Sequence, residues 1–219
     1  MELQFLGRGG AFFPQEDNTS AFFIEDKKLC LIDCGETVFR KILMTGLLER
    51  ECIEEVFILL THTHGDHAGS LGSLVYFCNY GLPGRPAIKV NIIADRRIWL
   101  KVLENLDSSL CPFELFKLTD VDGVNGKFKA FSELRFIRTK HQGDEPAFCI
   151  EFGTSRGKVF YSGDTRDLAF IGDYVRQDDR IDKMFVEATS LDYPENVHLP
   201  LTGLDRVIPK SIRDKVYLM

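Results

Sequence analysis

Three of the five histidines, His62, His64 and His67, fall in one short segment, Thr61-His62-Thr63-His64-Gly65-Asp66-His67. Imidazole nitrogens and a carboxylate are natural ligands for zinc and are also accepted by manganese or iron. In an extended chain, residues i and i+2 project from one face, so His62 and His64 can grip one ion together. Gly65 is expected to let the chain turn sharply, after which Asp66 and His67 can meet a second ion. Two later residues could complete such a centre. His141 lies in Arg138-Thr139-Lys140-His141-Gln142-Gly143, just past a strand-like stretch. Asp164 lies in Tyr161-Ser162-Gly163-Asp164-Thr165, at the C-terminal end of another, where a carboxylate can bridge two ions. Taken singly, His141 reads as a surface histidine and Asp164 as a turn aspartate.

The elements that must position these residues follow from apolar spacing. Glu55-Val56-Phe57-Ile58-Leu59-Leu60 reads as a buried strand running directly into the histidine segment. Before it, Leu3 to Leu6, Ser20 to Ile24 and Leu29 to Asp33 read as an antiparallel set, the last two joined by a polar turn at Glu25 to Lys28. Val38 to Leu48 has helical spacing, with Phe39, Ile42, Leu43 and Leu47 on one side. Helices are also expected over Leu71 to Tyr80, Arg96 to Leu106, Leu168 to Arg176 and Leu204 to Ile208. Further strands are expected at Ile88 to Ala94, Phe136-Ile137, Phe148 to Phe152, Val159 to Tyr161, Met184 to Val186 and Lys215 to Leu218. The chain is therefore α/β but lacks the regular βαβ alternation of a doubly wound fold. Two packed sheets flanked by helices, in a single domain over 1–219, is the expected architecture.

Composition narrows the function classes. Charged residues make up 27% and apolar residues 44%, which suits a globular protein with a full core. No apolar run approaches a membrane span, and Met1-Glu2-Leu3-Gln4 has no basic leader. The six cysteines are scattered without a CxxC pair and read as reduced core thiols. A cytoplasmic location follows as the expectation. The net charge of −6 gives no general attraction for a polyanion. Two divalent ions would still concentrate about four positive charges at one point and attract a small anion. Phe12, Phe13 and Trp99 look exposed and could line an interface or cleft, with core or scattered surface positions as the alternatives.

Taken in order, the HxHxDH segment, the later His141 and Asp164 after a strand resemble the metallo-β-lactamase superfamily, from about Phe5 to the C-terminus. The resemblance implies an αβ/βα sandwich of two mixed sheets flanked by helices, with metals in a cleft at one edge. By that match His62, His64 and His141 would hold one ion, Asp66 and His67 the other, and Asp164 would bridge them. Two divalent ions, with zinc foremost and manganese or iron as substitutes, are the implied cofactors. Asp33, in Leu31-Ile32-Asp33-Cys34-Gly35, matches the family's strand-end Asp-x-Gly and would orient a ligand.

Four features are similar to the ribonuclease Z-like phosphodiesterase branch. These are the opening Phe5-Leu6-Gly7-Arg8-Gly9-Gly10, the long interval from His67 to His141, Val186-Glu187-Ala188-Thr189 and Asn196-Val197-His198-Leu199. The chain departs from that branch at three points. The HEAT histidine is Val186 here. The short segment 142–163 leaves no room for the arm that clamps tRNA. The family's last ligand, a histidine after the terminal strand, has no counterpart after Lys215-Val216-Tyr217-Leu218-Met219, so either the chain stops just short of that motif or the second site is one ligand short, with His198 as the substitute. The expected activity is hydrolysis of a small phosphodiester, such as a cyclic nucleotide, or of an RNA end, by a hydroxide shared between two ions. Asp66 would hold metal and position the nucleophile, His198 would steady or protonate the leaving oxygen, and Glu187 would support it. The alternatives are hydrolysis of a thioester, lactone or other carbon ester, and a metal-binding regulatory protein with little catalysis. The resemblance also admits a homodimer.

Overall fold

The computed structural model describes residues 1–177 and 180–219. The chain divides into two compact units, Met1–Lys129 and Ala130–Met219.

In the first unit, strands β1 (Gln4–Gly7), β2 (Ser20–Glu25) and β3 (Lys28–Ile32) pair antiparallel, as expected. Asp26 and Lys27 close the β2–β3 hairpin with φ of 50° and 60°, the pair of left-handed residues that a two-residue turn needs to match strand twist. Two short helices follow, α1 (Val38–Thr45) and α2 (Leu47–Arg50), then β4 (Glu55–Leu60), α3 (Gly65–Ala68), α4 (Leu71–Tyr80), β5 (Lys89–Ala94), α5 (Trp99–Ser108) and β6 (Lys117–Thr119). The sheet runs in the order β1 to β6, with β3 through β6 parallel. Val56 through Leu60 are fully buried, the continuous apolar run of a parallel strand covered on both faces. Phe128 closes the unit, packing edge-on against Phe23 and Phe57 at centroid distances of 5.2 and 5.1 Å.

The expected helix over Val38 to Leu48 is broken at Gly46, whose φ of 58° ends α1 with a left-handed cap. On α1 Val38 and Ile42, one turn apart, are buried while Leu43, a step round the helix, is 40% exposed; Leu47, beyond the break, is buried. The expected exposure of Trp99 is likewise corrected. It is half-buried, its indole Nε1 donates to the Ala94 carbonyl at 2.9 Å, and Arg96 lies over its ring. Phe12 and Phe13 are exposed as expected. Strand β6 had escaped the sequence because it is only three residues long and half-buried.

In the second unit, β7 (Glu133–Thr139), β8 (Ala147–Thr154) and β9 (Gly157–Tyr161) are antiparallel. Helix α6 (Leu168–Gln177), β10 (Ile181–Val186), α7 (Leu201–Val207) and β11 (Val216–Leu218) complete it. β9, β10 and β11 are parallel, in the order β11-β10-β9-β8-β7. Phe160, Ile171, Met184, Val186, Leu199 and Leu204 form its core, each worth roughly 1.5–3 kcal/mol by burial. Each unit is thus a mixed sheet, three antiparallel strands leading into a parallel set, with helices.

All six cysteines are free and five are buried. Burial pushes the Cys34 and Cys78 thiols up to about 12, as inert core thiols require. Among the described residues no helix is long and apolar enough to cross a membrane.

Candidate metal centre

In the first unit, β4 delivers Thr61 to His64 at its C-terminal end, and α3 carries Asp66 and His67. His62 and His67 are buried. Nε2 of His62 and Nδ1 of His64 lie 3.1 Å apart. Two nitrogens on one tetrahedral zinc, each ~2.0–2.1 Å from it, stand about 3.3 Å apart, so this pair fits a shared ion. His67 Nε2 lies 3.6 Å from Asp66 Oδ2, which sets a second nitrogen–oxygen pair beside the first.

Asp33 organises this group. Its Oδ1 accepts from the Thr61 backbone N–H and its Oδ2 from the Thr61 hydroxyl, both at 2.8 Å. Its Oδ2 also faces His67 Nδ1 at 2.8 Å, so the ring donates from Nδ1 and leaves Nε2 open to a cation. Burial pushes the Asp33 carboxyl up, with His67 and Thr61 opposing. Asp33 has φ of 60°, a conformation that costs about 1–3 kcal/mol outside glycine and is kept where surroundings over-determine it.

Gly65 works differently from the sharp turn expected of it. It begins α3 with an ordinary helical backbone, and a Cβ there would sit 2.9 Å from Glu36 Oε1. Its smallness makes room for Glu36. Gly35 is tighter still, since a Cβ would fall 1.9 Å from the Asp66 carbonyl oxygen. Backbone hydrogen bonds from Cys34 to His67 (2.7 Å) and from Glu36 to Gly65 (3.1 Å) stitch this loop onto α3.

In the second unit, His141 follows β7 and is buried. Its Nδ1 faces the Val197 carbonyl at 3.0 Å. A carbonyl only accepts, so Nδ1 carries the proton and Nε2 is the unprotonated nitrogen. That nitrogen lies 3.7 Å from Asp164 Oδ2, and Asp164 Oδ2 lies 3.7 Å from His198 Nδ1. Ligand atoms of His141, Asp164 and His198 all fall within 4.8 Å of one another, a spacing that can hold a metal ion. His198, favoured from sequence for the leaving group and weighed there as a substitute for the missing last ligand, stands inside this cluster.

Glu187, just beyond β10, accepts from His198 Nδ1 at 2.6 Å with Oε2 and from the Thr165 backbone N–H with Oε1. Burial, then repulsion from Asp164, pushes its carboxyl up to about 8, with His198 and Thr165 opposing. Val186, in place of the HEAT histidine, is the fully buried last residue of β10 and offers no proton. Sequence reasoning missed Thr61, Thr165 and the Val197 carbonyl as supports. Thr61 adjoins His62 and could have been found by position. The other two act through backbone atoms, which leave no signal in residue type.

The sequence model of the Anti-Pycsar protein Apyc1 family matches residues 1–219. The Anti-Pycsar protein Apyc1 of Paenibacillus harenae is 30% identical over 227 aligned residues, covering 100% of this chain and 89% of that protein. Ribonuclease Z of Streptococcus uberis is 38% identical over 88 residues, 38% of this chain and 24% of that protein. The solved metallo-β-lactamase fold protein YhfI of Bacillus subtilis matches with a TM-score of 0.73 at 18% identity, over 99% of this chain and 85% of that one. The human short-form tRNase Z matches with a TM-score of 0.67 at 20% identity, over 100% and 92%. The structural likenesses establish the fold class expected from the sequence, metallo-β-lactamase-like with two mixed sheets and helices.

Proposed function

The chain belongs to the Anti-Pycsar protein Apyc1 family, and on that premise we propose that it is a metal-dependent phosphodiesterase acting on a small phosphodiester, a cyclic nucleotide first among them. The observation that carries this reading is the 3.1 Å approach of His62 Nε2 to His64 Nδ1, close to the ~3.3 Å between two nitrogens on one tetrahedral zinc. His62, His64 and His141 are proposed to hold one divalent ion and Asp66 and His67 a second, with Asp164 between them. Zinc is the first choice, and manganese or iron suit the same donors. Bound there, the ions supply Lewis acidity to a phosphoryl oxygen and acidify water.

The chain's own residues do the rest. Asp33 holds His67 in the tautomer with Nε2 unprotonated, and the Val197 carbonyl does the same for His141. Asp66 positions the attacking water. Glu187 orients His198 through Nδ1 and favours the imidazolium, whose Nε2 proton would pass to the leaving oxygen and leave the neutral ring still donating from Nδ1. Small substrates are favoured because the net charge is −6, and because segment 142–163 is taken up by a short loop, β8 and β9. A long polyanion finds neither attraction nor arm, which ranks an RNA end behind a cyclic nucleotide.

Metal content per chain, measured beside turnover of 3′,5′-cyclic nucleotides, bis-p-nitrophenyl phosphate, a thioester and nitrocefin, tests the reading. Two ions per chain with phosphodiester turnover are expected. Turnover of the thioester or nitrocefin alone would move the activity to carbon esters or lactams. One ion or none, with no turnover, would leave a metal-binding regulatory protein.

A further inference from the structure

Strands β3, β4 and β5 begin at Lys28, Glu55 and Lys89, at the end of the sheet opposite the histidine segment. At ~3.3 Å per residue, the length of β4 separates the two ends by about 20 Å. The three first residues, with Lys27, Cys52 and Arg85, line one cavity of about 550 Å³, within the ~300–1,000 Å³ of small-molecule sites. Ile53, Leu82 and Ile88 give it an apolar wall.

The carboxylates around it are engaged. Glu54 holds Lys27 at 2.6 Å, Asp26 holds Lys129 at 3.1 Å, and Glu55 accepts from Asn91 at 3.0 Å. Lys28, Arg85 and Lys89 have no carboxylate within ion-pair distance among the described residues. Lys27, Lys28, Arg85 and Lys89 face Asp26, Glu54 and Glu55 around the cavity, so its lining carries one net positive charge on a chain of net charge −6, a local excess that favours an anion. A guanidinium and two ammonium groups are suited to phosphate oxygens, the first by paired hydrogen bonds and the others as point charges. We propose that this cavity binds a small phosphorylated compound, its phosphates held by Lys28, Arg85 and Lys89 and its body against Leu82 and Ile88. The site stands apart from the metal centre and does not depend on the hydrolytic reading.

Cys52 provides the readout. It lies in the cavity wall and is the one exposed cysteine of the six, so a neutral alkylating reagent labels it selectively in the native protein. Inorganic tripolyphosphate, at constant ionic strength and with divalent metal in excess, should slow iodoacetamide labelling of Cys52 by about fivefold or more, through occupancy and through its charge. Arg85→Ala and Lys89→Ala should each raise the half-protecting concentration by about tenfold, the loss of one charged hydrogen bond, with phosphodiester turnover unchanged. Tripolyphosphate drawn to the histidine segment would not reach this thiol. Labelling that is no slower than in matched sodium chloride overturns the proposal, and so does protection that survives both substitutions.

Discussion

His67 shows how one carboxylate decides what an imidazole can do. With Asp33 at Nδ1 the ring presents Nε2 as a lone-pair donor, and without it the two tautomers compete. Asp33→Asn keeps the shape, and its amide oxygen can still accept from Thr61. It removes the charge that fixes His67, so metal affinity should fall about 10–100-fold while the folded state persists. A chelator-competition titration of the two proteins reads this directly, and equal affinities would show that Asp33 has no part in ligand orientation. At this scale much was legible. The histidine segment stood out by residue type and spacing, whereas His141 and Asp164, which singly read as a surface histidine and a turn aspartate, were picked out by the resemblance. Asp33 was visible only through resemblance, because nothing in a buried Asp-Cys-Gly says which ring it will face.

At the scale of elements, helix α1 is held to the loop before β2 by a clasp that spacing does not reveal. Asp17 accepts from Arg40 Nη2 at 2.7 Å and from Lys41 Nζ at 3.0 Å. Burial pushes the Asp17 carboxyl up, but the bonds and charges of Lys41 and Arg40 together hold it below its ordinary 3.8. A carboxyl depressed in the folded state contributes stability above the unfolded value and loses it as pH falls through the folded one. Asp17→Asn tolerates the left-handed backbone at this position, φ 54°, and so isolates the charge. It should cost about 1 kcal/mol at neutral pH. The difference should close as pH drops below 3.8, as measured by urea denaturation across that range. The same helix shows why element boundaries escaped the sequence. Apolar spacing continues through Gly46, but the left-handed cap there ends α1 and starts a separate short helix.

For the whole molecule, metal ions and fold should be coupled. The proposed donors on β4 and α3 are brought together only by folding, so metal bound there would stabilise the fold by mass action. At a free metal concentration ~1,000 times Kd this is about 4 kcal/mol. For a chain of this size that corresponds to a midpoint about 10 °C higher. Scanning calorimetry with zinc and after chelation should show that fall. An unchanged midpoint would mean that the ions are not bound through the fold.

What the sequence determined by itself was the set of donor types able to hold a metal, their order along the chain, and the strands that lead into them. Those features are written in local pattern, because a buried strand must be apolar throughout and a metal ligand must be one of a few residue types. What only the tertiary structure decided was which nitrogen each ring offers and which residues support it. His141 takes its tautomer from a carbonyl at Val197, and Glu187 is held by a backbone N–H of Thr165. Backbone groups are the same in every residue, so contacts made through them leave no trace in composition or spacing. The cations of Lys28, Arg85 and Lys89 likewise read as solvated charges one by one. They become a site only when three parallel strands begin side by side.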